Sequence, residues 1–289
     1  MTSNLLATIP VPAGSNLTNQ ILTNVGSLRN RGIEFALNTT PIQRENLSWD
    51  FGFNVTYNEN QITRLARLES QEGAGVEVGG ISGGVGSNIQ INTVGFPANT
   101  FLVLRQIYDQ QGRPIEGLYE DRDGSGSITP DDRYRTRQAA PLVFLGVNSQ
   151  LTYKRLNAGF TLRGNVGNYV YNNVFSNLGN FTPFTGSGNF INNASANVLE
   201  TRFRTQQLFS DYYLQNASFL RMDNINVGYN VGRVTSLLGR DASLRVNANV
   251  QNAFVITRYK GIDPEIANGI DNNFFPRPRI YALSVNLDF

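Results

Sequence analysis

The sequence predicts an all-β chain, an antiparallel transmembrane β-barrel wall of about nine strands that forms the C-terminal part of a larger barrel. Three observations lead there. Large apolar and small polar side chains alternate through many separate segments. Charged residues make up only 16% of the chain, against about 25% in soluble proteins, yet no apolar run reaches the roughly 18 residues that a membrane-crossing helix needs. Connections between the expected strands alternate between short and long, as in outer-membrane barrels, which keep short turns on one side and long loops on the other.

The strands follow in order. The first covers 31–40 and opens Arg31-Gly-Ile-Glu-Phe35. In 47–58 the odd positions are Leu47, Trp49, Phe51, Phe53, Val55 and Tyr57, and the even ones are Ser48, Asp50, Gly52, Asn54, Thr56 and Asn58. Such a strand offers one face to hydrocarbon and the other to water. A hairpin is expected at 98–108 and 115–120. In 142–153 and 156–165 the apolar set is Leu145, Val147, Leu151 and Tyr153, then Leu156, Ala158, Phe160 and Leu162. Strand 217–231 carries Ile225, Val227 and Tyr229 against Asn226, Gly228 and Asn230. Strand 242–252 sets Val246, Ala248 and Val250 against Asn247, Asn249 and Gln251. Between these two, Val234 to Arg240 is read as one or two helical turns. The last strand, 279–289, puts Tyr281, Leu283, Val285, Leu287 and Phe289 on one side.

The connections 41–46, 109–114, 154–155 and 232–241 are short, and 59–98, 121–141, 165–216 and 252–278 are long. This places Phe289 at the short-turn, periplasmic side. An odd strand number and an open first edge at Arg31 conflict with a self-contained barrel, because unpaired backbone groups in lipid are costly. Met1 to Asn30 has no charged segment followed by an apolar core. The expectation is a C-terminal barrel piece, 1–289, with signal peptide and plug domain absent.

Composition narrows the function. A formal net charge of +2 without a basic cluster argues against nucleic acid. With no histidine, no cysteine, and lysine only at Lys154 and Lys260, the usual nucleophile and base pairs cannot be built. An enzyme is not expected. Glu116, Glu120, Asp121, Asp131 and Asp132 would be the carboxylates for glycoside hydrolysis, but solvated loop charge is the preferred reading.

Several strings, taken in order, resemble the C-terminal barrel of SusC/RagA-type TonB-dependent outer-membrane transporters. They are Asn24-Val-Gly-Ser-Leu-Arg-Asn-Arg-Gly-Ile-Glu34, Tyr119-Glu-Asp-Arg-Asp-Gly-Ser-Gly-Ser-Ile128, Asn216-Ala-Ser-Phe-Leu-Arg-Met-Asp-Asn-Ile-Asn-Val-Gly-Tyr229, Tyr259-Lys-Gly-Ile-Asp-Pro-Glu265 and the Phe-terminated last strand. The resemblance spans almost the whole chain. It implies a barrel of about twenty-two strands in the outer membrane, plugged by an N-terminal domain and energised through TonB, which imports glycans or peptides captured with a SusD-like lipoprotein. No substrate residue carries over by motif.

Asp121, Asp123, Ser125 and Asp132 fall at the first, third, fifth and twelfth positions of an EF-hand-like loop, with Ser127 offering its carbonyl. Hard oxygen ligands suit Ca²⁺, although no cofactor is required. The competing reading is an Asp-Gly-rich turn held by side-chain-to-backbone bonds. The glycine run 73–86 lacks phosphate-loop spacing and is expected to be a flexible outer loop. Trp49, Tyr57, Tyr153, Tyr229, Tyr281 and Phe289 read as an interfacial girdle. Phe181, Phe184, Tyr259, Phe274 and Phe275, on long loops, are the ligand candidates. Arg105, Arg163, Arg221 and Arg245 are expected to give the lumen an anion-tolerant field. The alternative fold is a soluble extracellular β-sandwich adhesin, calcium-dependent, whose apolar faces would meet as a core.

Overall fold

The alternating segments are strands, and they pair with their chain neighbours. The computed structural model describes residues 2–10, 20–65, 75–83, 86–185, 193–237, 240–272 and 275–288. The chain starts with β1 (Thr2–Pro10), β2 (Gln20–Arg44) and β3 (Leu47–Leu65). The first long connection holds β4 (Gly75–Gly80), β5 (Asn88–Thr93), β6 (Thr100–Val103), β7 (Gln106–Tyr108), β8 (Pro114–Tyr119) and β9 (Tyr134–Gln138). After the hairpin β10 (Val143–Tyr153) and β11 (Leu156–Val166), the second connection carries β12 (Tyr169–Asn172), α1 (Asn173–Leu178), α2 (Thr182–Thr185), α3 (Val198–Thr201) and β13 (Leu214–Asn216). A second hairpin, β14 (Phe219–Leu237) and β15 (Arg240–Thr257), leads through β16 (Ile270–Asp271) to β17 (Ile280–Asp288).

Eight of these strands form one sheet in the order β1-β2-β3-β10-β11-β14-β15-β17. Every neighbouring pair is antiparallel. The antiparallel wall expected from the sequence is therefore present, as an open eight-stranded sheet rather than one of nine. The strand expected to open at Arg31 begins earlier, at Gln20, and β1 pairs with its first part, Gln20 to Leu28; from Arg31 onward β2 is paired with β3 alone, so the open edge expected there remains. The segment 98–108 and 115–120 forms strands, and β7 pairs with β8 as the expected hairpin. That hairpin lies outside the wall, so its short connection does not count in the alternation. Among the wall strands, residues 45–46, 154–155 and 238–239 are short links, while 66–142, 167–218 and 258–279 are long. The last strand ends at the short-turn side, Asp288 pairing with Ser243; Phe289 lies outside the described residues. Val234–Leu237 continues β14 rather than turning into a helix.

Register fixes the two faces. Leu37, Phe53 and Val147 are cross-strand partners, as are Phe35, Val55 and Leu145; Val227, Ala248 and Leu283 continue the same face. Among the described residues no second sheet covers it. Ile33 is 76% exposed and Leu283 75%, and Trp49, Phe51 and Phe53 are half-buried by their own neighbours rather than sealed in a core. A sandwich would have to bury this face, so the adhesin architecture is not the one observed. Tyr57, Tyr153, Tyr229 and Tyr281 are exposed on the apolar side, and Trp49 Nε1 donates to Ser149 Oγ at 2.9 Å.

β2 and β3, at 25 and 19 residues, exceed the roughly 9–11 that a tilted strand needs to cross a bilayer. Their surplus projects at the long-loop end, where Ile62 and Leu65 are buried. There the long connections fold into an outer layer. β4-β5-β6-β9 make one small sheet and β13-β12-β16 another. The run expected to be a flexible glycine loop instead contributes β4, paired with β5. One core joins Ile89, Phe101 and Val103 from the first connection, Tyr171, Phe203 and Tyr213 from the second, and Ile270 from the third. Polar stitches cross the same seams. Asp211 accepts from the Gln106 amide at 3.0 Å and the Tyr134 hydroxyl at 2.7 Å. Among the described residues no helix is long and apolar enough to cross a membrane.

Candidate functional site

With the odd side chains of β3 turned to the apolar face, Asp50, Gly52, Asn54 and Thr56 must turn to the other. They meet Gln150, Asn148, Gly146 and Phe144 of β10 in register. Glycine on this face lets a neighbouring amide lie flat. A Cβ on Gly52 would come 1.9 Å from Asn148 Oδ1 and 2.9 Å from Asn38 Oδ1; one on Gly146 would come 2.0 Å from Asn54 Oδ1. The same arrangement recurs at Gly159 and Gly228. The result is a floor of amide groups, with a hollow of about 550 Å³ over Asn38, Asp50, Asn148, Gln150, Thr161 and Asn226. Such a surface offers donors and acceptors to a hydrated solute.

Charge on this face is largely compensated. The Arg163 guanidinium donates to both oxygens of Glu265 at 2.7 Å and, through Nε, to Asp223 at 2.6 Å. Asp223 can reach it because a bulge between Met222 and Asn224 interrupts the ladder. Arg221, only 2% exposed, donates to Asp263 at 2.6 Å. Arg105 lies off the wall and pairs with Glu120 at 3.3 Å. Three of the four arginines expected to attract anions are thus matched by carboxylates, and Arg245 is the exposed remainder. Burial alone would raise the Glu265 pKa, but its bonds to Arg163 and the charges of Arg277 and Arg221 hold it below the usual carboxylate range.

The acidic loop brings three of its carboxylates together. Carboxylate oxygens of Asp121, Asp123 and Asp132 lie within 4.8 Å of one another. Asp121 accepts from the Gly124 and Gly126 amides, each at 2.8 Å. Asp132 accepts from the Thr129 and Arg122 amides, each at 2.7 Å, and the Thr129 N–H leads the bonds that lower its pKa. Ser125 Oγ donates to the Ser127 carbonyl at 3.0 Å. Hard oxygens are gathered, and the backbone bonds that a simple Asp-Gly turn would use are also made. Of the remaining carboxylates, Glu116 accepts from the Arg204 and Thr205 amides, and Glu120 pairs with Arg105 and Arg122.

The ligand aromatics divide. Phe181 and Phe184 are exposed with ring centroids 6.3 Å apart, and Phe275 is 98% exposed. Tyr259 is buried and donates to Asp271 at 2.6 Å, which makes it a structural residue. Phe274 lies outside the described residues. Sequence reasoning missed the carboxylates Asp263 and Glu265, whose partner Arg163 is 102 residues from Glu265; no local pattern announces such a pair.

A comparison with models of known protein families finds no match. Over its whole length the chain is 40% identical to the TonB-dependent receptor SusC of Bacteroides thetaiotaomicron, covering 29% of that protein. It is 27% identical to the TonB-dependent receptor P3 of Formosa agariphila, covering 31% of it. Among solved structures it resembles the RagAB peptide transporter, with a TM-score of 0.74 at 24% identity over 99% of this chain and 32% of that one. The RagAB peptide importer in the "closed-closed" state gives a TM-score of 0.75 at 23% identity, over 99% of this chain and again 32% of that one. The chain spans about three tenths of the length of the curated relatives it matches.

Proposed function

We propose that the chain belongs to the SusC/RagA type of TonB-dependent receptor and forms part of the wall of an outer-membrane nutrient importer. In this reading the apolar face borders lipid, the amide floor borders the aqueous passage, and Asp288 lies toward the periplasm. The cargo is a glycan or a peptide, TonB supplies the energy to the parent receptor, and a SusD-like surface lipoprotein captures cargo at the outer layer. Its relatives are named as receptors and transporters, not enzymes.

The observation that carries the proposal is the two-faced sheet, lined mainly by exposed large apolar side chains on one side and by amides on the other. A soluble protein would have to hide the first face; a barrel wall needs both. The test is to express the parent receptor with this segment, and to measure heat-modifiable migration and co-purification with a SusD-like lipoprotein. Monodisperse behaviour without detergent would overturn the membrane reading, and absence of the lipoprotein would overturn the partnership.

Asp121, Asp123 and Asp132, with the oxygens of Ser125 and Ser127, are the residues we assign to Ca²⁺ in the outer layer. Support comes from the three converging carboxylates. Calorimetry should register Ca²⁺ binding that Asp123→Ala abolishes; no heat in the unsubstituted protein would reject the assignment.

A further inference from the structure

The Tyr259-to-Glu265 segment does not simply cross the outer layer. Tyr259 is buried against Val170 and Ala217, with Ile266 packed on the same cluster. Between these two anchors the chain hooks over the polar face and sets Asp263 and Glu265 against arginines of two wall strands. Arg163 and Arg221 are cross-strand partners in register, and they hold the hook from β11 and β14. Arg221 also donates to Asn252 Oδ1 at 2.6 Å. Asn252 in turn donates to the Arg277 carbonyl at 2.9 Å, and Arg277 pairs with Glu265 at 2.8 Å. The cluster is balanced, with Arg163, Arg221 and Arg277 facing Asp223, Asp263 and Glu265.

Depth gives the hook its meaning. Arg163 sits three residues inside the end of β11 at Val166, roughly 10 Å below the rim at about 3.3 Å per residue. We propose that Asp263-Pro264-Glu265 is a strap pinned across the polar face of the wall, narrowing the mouth of the passage above the amide floor. The inference rests on the reading of that face as water-lined. The arginines are positioning residues: Arg163 and Arg277 hold Glu265 by partly exposed ion pairs, while the Arg221–Asp263 pair is withdrawn from solvent, where loss of one partner strands a buried charge. Cargo of large cross-section must then displace the strap, while small solutes pass beside it.

The test uses the full receptor in intact cells. Asn226, on the floor beneath the strap, is replaced by cysteine. The chain itself is free of cysteine, and labelling of the peptide containing position 226 is read by mass spectrometry. A small charged thiosulfonate and a bulky polyethylene-glycol maleimide are added from outside. With the strap pinned, the small reagent should label and the bulky one should not. In Asp263→Asn/Glu265→Gln, labelling by the bulky reagent should rise on the order of 100-fold, the factor that loss of a buried ion pair implies. Arg277→Gln, which removes only the exposed arm of the cluster, is the milder variant if the double substitution does not assemble by heat-modifiable migration. Equal bulky labelling before and after release, or none in either, overturns the strap. No labelling by the small reagent overturns the water-lined face itself, and the strap with it.

Discussion

Leu283 and Ser284 are adjacent residues of one strand on opposite faces of the wall, so the same substitution at each isolates the environment of the face. Leu283 is 75% exposed, lies fourth of nine residues in β17 and pairs with Ala248, while Ser284 pairs with Asn247. If the apolar face borders hydrocarbon, Leu283→Arg places a guanidinium near mid-membrane and costs about 2–4 kcal/mol. Ser284→Arg enters an aqueous, amide-lined surface and should change stability by no more than about 0.5 kcal/mol. The difference, a factor of roughly 10 or more in the folding equilibrium, is measurable by urea titration of the parent receptor in lipid vesicles, following heat-modifiable migration. Equal costs at the two positions would refute the assignment of faces, and a larger cost at Ser284 would invert it.

Gly52→Val should lower the melting temperature through a clash with the Asn148 amide, whose oxygen lies 1.9 Å from the position a Cβ would take. Overpacking of this kind costs about 1–3 kcal/mol, and Asn148→Gly in the same protein should recover most of it; additivity without rescue would show that the amide is not what fills the space. Acidification should loosen the outer layer before the wall. Glu265 and Asp132 both have folded pKa values below their ordinary ones, so their contribution is complete above the unfolded values of about 4 and is lost as pH falls through the folded ones. Limited digestion with an acid-tolerant protease should cut the long connections progressively below about pH 4; protection that increases with acid would contradict this sign. Removing Arg245, an exposed arginine of the polar face, should shift the ion selectivity of the parent pore toward cations by more than removing Arg163, whose charge is already matched; equal shifts would mean that the ion pairs do not screen Arg163.

What the amino-acid order determined by itself was the wall. A period of two is a local property, and it dictates strands, their faces and the short links at Lys154-Arg155 without reference to any distant residue. Local patterns also gathered the Asp121 to Asp132 loop, since all its oxygens lie within one turn of chain. Tertiary structure decided the rest. The hairpin at Gln106–Tyr108 and Pro114–Tyr119 was expected as a pair of wall strands, and it is the folded chain that sets it apart as a two-stranded sheet of its own. Where β2 begins was set by pairing with β1. The fate of Tyr259, buried instead of offered to a ligand, and the matching of Arg163 with Glu265 depend on side chains brought together from far along the chain. Alternation tells a residue which way to face; only the folded chain supplies what it meets there.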